Sequence, residues 1–137
     1  MRTQEATTTV TAPVAEVERF LTDVEQWPRF LVGLDAATRV SHERWVFCVH
    51  DGNDRREATV AVRRDAAGHR FTWRSLDGPE YSGCLALTPV DGRHTRVHLE
   101  LRWHPGTFLA ALAEMVLPRG DRAARDLREL EGALTAR

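Results

Sequence analysis

Residues 107–137 read TFLAALAEMVLPRGDRAARDLRELEGALTAR. Phe108, Leu112, Met115, Val116, Ala123, Leu127, Leu130 and Leu134 recur there at three- and four-residue steps, the stripe of a helix with one buried face. A helix over that stretch is about 45 Å long, more than a small domain needs for packing alone. Because the sequence before it reads as strand, the pattern predicts a sheet wrapped around a C-terminal helix. Pro118-Arg119-Gly120 interrupts the stripe. Proline removes a backbone donor and crowds the preceding turn, so a bend, or a restart capped by Asp121, is expected within Leu117–Asp121. Arg119, Arg122, Arg125 and Arg128 interleave with Asp121, Asp126 and Glu129, which reads as a solvated, salt-bridged helix face.

Upstream, from Leu34 to His104, the apolar period changes to two. Turn residues recur at Asp51-Gly52-Asn53-Asp54, Asp65-Ala66-Ala67-Gly68, Asp77-Gly78-Pro79 and Asp91-Gly92-Arg93. They divide the stretch into strands expected at 35–42, 44–51, 55–65, 69–76, 81–89 and 94–104. One phase of each is apolar and predicts the covered face: Trp45, Phe47 and Val49; Ala58, Val60 and Val62; Phe71, Trp73 and Ser75; Gly83, Leu85 and Leu87; Val97, Leu99, Leu101 and Trp103. His94, Arg96, His98, Glu100 and Arg102 form the opposite, wet phase of the last strand.

At the start of the chain, the β-branched run from Glu5 to Thr11 predicts a first strand. Pro13 then opens a short amphipathic helix to Asp23, with Val14, Val17, Phe20, Leu21 and Val24 at helical spacing. Gln26-Trp27-Pro28-Arg29-Phe30-Leu31 follows, and Pro28 is expected to force a break before a second short helical turn. Pro105-Gly106 ends the last strand, leaving Thr107 as candidate N-cap of the final helix.

With 137 residues and 42% hydrophobic content, a single domain with an ordinary core is expected. Formal charge is −1 and dispersed, without the basic face that nucleic acid requires. All nineteen basic residues are arginine, so chemistry through a lysine Schiff base or a Walker-type lysine is excluded. No run is apolar for long enough to insert stably in a membrane. The first residues lack the apolar region of a signal peptide, so a cytoplasmic location is expected. Cys48 and Cys84 match no metal or redox spacing. No cofactor motif is present, no cofactor is expected, and nothing in the sequence specifies an oligomeric state.

Thr11-Ala12-Pro13, Trp27-Pro28-Arg29-Phe30, Arg56-Glu57-Ala58, Phe71-Thr72-Trp73-Arg74-Ser75, Gly78-Pro79 and Thr95-Arg96-Val97, in this order across nearly the whole chain, resemble the polyketide cyclase/dehydrase-like proteins of the START-like, helix-grip (SRPBCC) superfamily. The resemblance implies an α+β fold: a seven-stranded curved antiparallel sheet gripping a long C-terminal helix, with two short helices after the first strand and a ligand cavity between sheet and helix. It does not imply one activity, since such proteins include aromatic polyketide cyclases, lipid carriers and quinone carriers. Two departures stand out: Pro118-Arg119-Gly120 breaks a helix the relatives usually run through, and Ala58 stands where many carry a large aromatic residue.

Candidate site residues follow from the inward phase. Trp27, Phe30, Trp45, Phe47, Val49, Ala58, Val60, Trp73, Ser75, Tyr81, Gly83, Leu85, Leu99, Leu101, Trp103, Phe108, Leu112 and Met115 form a candidate lining for a small hydrophobic ligand. The same rings serve equally as plain core. Ala58 and Gly83 are expected to leave volume unfilled. Tyr81, Ser75 and Asp51 are the catalytic candidates: a phenol, a hydroxyl and a carboxylate that orient or protonate a carbonyl, or else a strand-end phenol, a satisfied hydroxyl and a turn residue. No metal site is expected, because His94 and His98 lie about 13 Å apart along one strand face, as do positions four apart generally. Three functions therefore stand open: a binder of an aromatic polyketide, isoprenoid or lipid-like molecule, a cofactor-independent cyclase or aromatase, and an interaction protein with a vestigial pocket.

Cys48 and Cys84 both fall out of phase with the inward residues of their strands. Thiol titration of denatured, non-reduced protein should find both cysteines free, and substituting both by serine should leave ligand binding unchanged.

Overall fold

The computed structural model describes residues 2–31, 34–51, 54–65, 67, 69–77, 81–103 and 122–135. The strands are β1 (Arg2–Val10), β2 (Leu34–Ser41), β3 (Arg44–Asp51), β4 (Asp54–Asp65), β5 (Arg70–Ser75), β6 (Tyr81–Pro89) and β7 (Thr95–Trp103). After β1 come helix α1 (Val14–Thr22) and a 3₁₀ helix (Val24–Arg29); helix α2 (Arg122–Thr135) closes the chain. The strands form one seven-stranded antiparallel sheet in the order β1-β7-β6-β5-β4-β3-β2. Five of its pairings are sequential and need only short turns; the sixth, β1 with β7, joins the first strand to the last.

Strands β2 to β7 lie within about one residue of their expected spans, and β1 begins earlier than expected, at Arg2 in place of Glu5. The inward phase is also as expected where its side chains are described: Phe47, Ala58, Val60, Phe71, Trp73, Leu85, Leu87, Val97, Leu99 and Leu101 are all buried. A register shift between Leu34 and Ala36 marks a bulge, so β2 turns inward at Leu34 and then at Ala37, an odd spacing that simple alternation cannot give. Helix α2 packs against β1 and β7, burying Leu127, Leu130 and Ala133. Leu127 and Leu130 each stabilise the fold by about 1.5–3 kcal/mol through burial.

Two expectations need correction. Asp126, read as part of a solvated face, is fully buried, because α2 lies close enough to β1 to cover that flank as well as the leucine stripe. The break between the two short helices comes at Asp23, in a non-helical conformation (φ −87°, ψ 86°), and Pro28 sits inside the 3₁₀ helix. There the chain is held by Asp23 N–H to Phe20 O, Gln26 N–H to Asp23 O and Phe30 N–H to Trp27 O, none of which uses the proline nitrogen. The bend expected within Leu117–Asp121, the N-cap at Thr107 and the helical positions Phe108, Leu112, Met115 and Val116 lie outside the described residues. No described helix is long and apolar enough to cross a membrane.

The α1 end of the domain is tied to the β4–β5 hairpin by a charged cluster. Glu18 accepts from Arg64 Nη2 at 2.8 Å and pairs with His69 Nδ1. His69 adopts a left-handed conformation (φ 50°) in the turn between those strands, which brings its ring back toward α1. Burial acts to raise the Glu18 carboxyl, but the hydrogen bonds and charges of His69 and Arg64 outweigh it and hold the group below its ordinary value. A depressed carboxylate adds stability above the unfolded-state value and loses it as pH falls through the folded one. Stability should therefore decline on acidification below about pH 4.5, and Glu18→Gln should remove part of that decline while lowering stability at neutral pH. Chemical denaturation of both proteins across pH 3–7 checks it.

Candidate ligand-binding site

The inner face of the sheet is built around four rings. Trp27, on the 3₁₀ helix, donates Nε1–H to Leu21 O at 3.0 Å, which fixes its indole against the sheet. Its ring meets Trp73 edge-on with centroids 5.0 Å apart, Phe47 at 6.2 Å and Phe30 at 6.2 Å. These are the tilted and edge geometries that aromatic quadrupoles favour. All four rings are almost wholly buried.

Trp73 lies across Gly83, its register partner on β6. A Cβ on Gly83 would overlap the indole at Cζ2 and Cε2. The volume expected to stand open above Gly83 is thus occupied by Trp73: the missing side chain is a seat for a ring. Trp73 is 2% exposed, and its Nε1 has no hydrogen-bond partner among the described residues. A buried, unpaired donor costs about 1–3 kcal/mol, so Trp73 differs chemically from Trp27 despite similar packing.

Beyond the rings, a cleft of about 500 Å³ opens between the two short helices and the β2–β5 end of the sheet. Its floor is apolar, formed by Leu21, Val24, Trp45, Val62 and Phe71. Arg39, His42, Glu43, Arg63 and Arg64 surround it. The arginines are already engaged, Arg63 with Glu43 at 3.1 Å, Arg64 with Glu18, and Arg39 with the carbonyls of Ser41 and His42. The cleft is adjacent to the ring cluster, since Val62 on its floor is the register partner of Trp73.

Residues 1–131 match the family described as polyketide cyclase / dehydrase and lipid transport. The chain belongs to that family. No curated protein sequence matches it. Among solved structures, the Zhui aromatase/cyclase from a Streptomyces species is similar with TM-score 0.79 at 19% identity, over 99% of this chain and 94% of that one. A START superfamily protein from Mycobacterium smegmatis is similar with TM-score 0.76 at 15% identity, over 98% and 97% of the two chains. A Thermus thermophilus protein gives TM-score 0.75 at 20% identity, over 98% of each. At these identities the likeness is one of fold, and the fold is the START-like helix grip.

Within this polyketide cyclase and lipid-transport fold, the candidate lining divides. Trp27, Phe30, Trp45, Phe47, Ala58, Val60, Trp73, Leu85, Leu99 and Leu101 stand on one buried surface. Gly83 and Ser75 are half-buried beside it. For Val49, Asp51, Tyr81 and Trp103 the strand backbone is described and the side chains are not; Tyr81 is paired with Trp103, and Asp51 with Asp54 across the β3–β4 turn. Phe108, Leu112 and Met115 lie outside the described residues. The sequence reading missed the cleft and the Glu18–Arg64–His69 cluster, because both depend on where α1 docks. Burial pushes the Cys84 thiol above its ordinary value, outweighing the opposing pull of Arg70 and Arg102.

Gly83→Ala should destabilise the domain by about 1–3 kcal/mol, because its methyl group must displace the Trp73 ring in a packed core. Near-ultraviolet circular dichroism should change with it, whereas Gly132→Ala, where a Cβ meets nothing within 4 Å, should leave that spectrum unaltered.

Proposed function

We propose that this protein binds a small, flat, hydrophobic molecule bearing a carbonyl or phenolic oxygen against the inner face of its sheet. The observation that carries the reading is Trp73: an indole held rigidly between Trp27 and Gly83 whose buried N–H has no acceptor among the described residues. A ligand oxygen placed there would recover the hydrogen bond that the protein forgoes, while the neighbouring rings supply stacking area. An aromatic polyketide, a quinone or a similar isoprenoid fits both requirements. The family's description, which includes lipid transport, supports the same ligand class.

A second reading, a cofactor-independent cyclase or aromatase, is favoured by the cyclase half of that description and by the fold shared with the Zhui aromatase/cyclase. In it the inner face folds a poly-β-ketone chain, and Ser75, Tyr81 and Asp51 orient or protonate its carbonyls.

Binding is read from tryptophan emission. Quinones or polyphenols should quench it saturably in the micromolar range, about −8 kcal/mol. Trp73→Leu should reduce both affinity and quench, and Trp73→Phe should weaken carbonyl-bearing ligands by about 1 kcal/mol while sparing a hydrocarbon of the same shape. His98→Ala, on the outer face, should change neither. Absence of saturable quenching across polyphenols, quinones and fatty acids overturns the proposal. Conversion of a poly-β-ketone thioester faster than in buffer, lost in Tyr81→Phe, selects the second reading.

A further inference from the structure

The outer face of the β1–β7 pair carries a group of side chains that ligand binding on the inner face does not use. The antiparallel register sets Glu5 opposite Glu100 and Thr7 opposite His98. Alternate residues of a strand share a face, and opposed residues of neighbouring strands stand side by side. Glu5, Thr7, His98 and Glu100 therefore converge on one patch of the outer surface. One ligand atom from each of Glu5, His98 and Glu100 lies within 4.8 Å of the other two, and His98 Nε2 is 3.5 Å from Glu5 Oε1.

Ligand atoms bound at about 2.0–2.2 Å to a common ion stand about 3–4 Å apart, so this arrangement needs only small rotations of two glutamate side chains to close on one. The surrounding contacts orient it. Thr7 Oγ1 lies 2.6 Å from His98 Nδ1; when it accepts the Nδ1 proton, the Nε2 lone pair is left facing the carboxylates, the tautomer that ligating histidines need. Arg102 Nε donates to Glu100 Oε1 at 2.7 Å, holding that carboxylate while its second oxygen stays available. A neutral imidazole and two carboxylates sum to two negative charges, and a mixed nitrogen–oxygen set suits a borderline divalent ion better than calcium or magnesium.

We propose that Glu5, His98 and Glu100 form a site for a divalent first-row transition cation such as Zn²⁺, which cross-links edge strand β1 to β7. The site is separate from the ligand face, on the opposite side of the same strands. Glu5 stands on the first strand and His98 and Glu100 on the last, so the ion would reinforce the one pairing in the sheet that no hairpin supports.

The test uses tag-free protein stripped with chelator, titrated with Zn²⁺ by calorimetry and with Co²⁺ by visible absorbance, with Tm measured alongside. Expected are a single saturable site and a Tm that rises with Zn²⁺. His98→Ala should abolish both effects, Glu5→Gln should weaken binding more than tenfold, and Thr7→Val should weaken it about tenfold, as loss of an outer partner does. His94→Ala, whose ring pairs with Asp91 at 2.9 Å, should behave as wild type. Far-ultraviolet circular dichroism confirms folding, and Glu5, exposed on the surface, provides a variant that decides the matter if His98→Ala does not fold. No saturable binding by the wild type, or wild-type affinity in both His98→Ala and Glu5→Gln, overturns the proposal.

Discussion

The fold depends on the pairing of Arg2–Val10 with Thr95–Trp103. Every other strand pair forms between neighbours in sequence, where a short turn supplies the entropy advantage. This one closes a loop from Val10 to Thr95 that holds every other strand, and its contacts must outweigh that cost. It does so with nine register pairs, with Val10, Val97, Leu99 and Leu101 buried on the inner side and with α2 packed across it. Thr95 adds a buried anchor, its hydroxyl donating to Ala12 O at 2.8 Å just where the chain leaves β1. That anchor also sets where α1 begins.

From this closure the position of the aromatic cluster follows. Once β1 is fixed at one edge, α1 and the 3₁₀ helix must cross the concave side of the sheet to reach β2 at the opposite edge. Trp27 is carried along and lands on Phe47 and Trp73. Its N–H is satisfied by the carbonyl of Leu21, six residues earlier on α1, so the ring arrives already oriented. Trp73 has no such local partner, and its position is set instead by the absence of a side chain at Gly83. One tryptophan is held by a hydrogen bond and the other by shape. The second therefore keeps, in an apolar setting, a donor with no acceptor among the described residues, and the proposed carbonyl-bearing ligand rests on that property.

The two faces of the sheet are chemically independent because strand alternation separates them. The inner face concentrates rings and aliphatic groups, the outer face carboxylates, arginines and imidazoles, and β7 contributes to both through successive residues. Leu99 supports the interior while its neighbours His98 and Glu100 meet Glu5 outside. A change on one side of this strand is accordingly expected to leave the other side's chemistry alone.

Local pattern was enough to read the strands, the short amphipathic helix and the inward set from Phe47 to Leu101, since period and turn chemistry are properties of neighbouring residues. The family could likewise be read from Trp27-Pro28-Arg29-Phe30 and its companions in order. What sequence could not decide was anything that depends on residues far apart. Gly83 looks like empty space until β5 is paired beside it and Trp73 fills the gap. Asp126 looks solvated until α2 is laid against β1. Histidines on one strand cannot share an ion with His98, because the rise of about 3.3 Å per residue holds them too far apart; the group becomes visible only when Glu5 is brought beside His98 and Glu100 by the pairing of β1 with β7. Periodicity reports which face a residue takes, and only the closed sheet decides what stands opposite it.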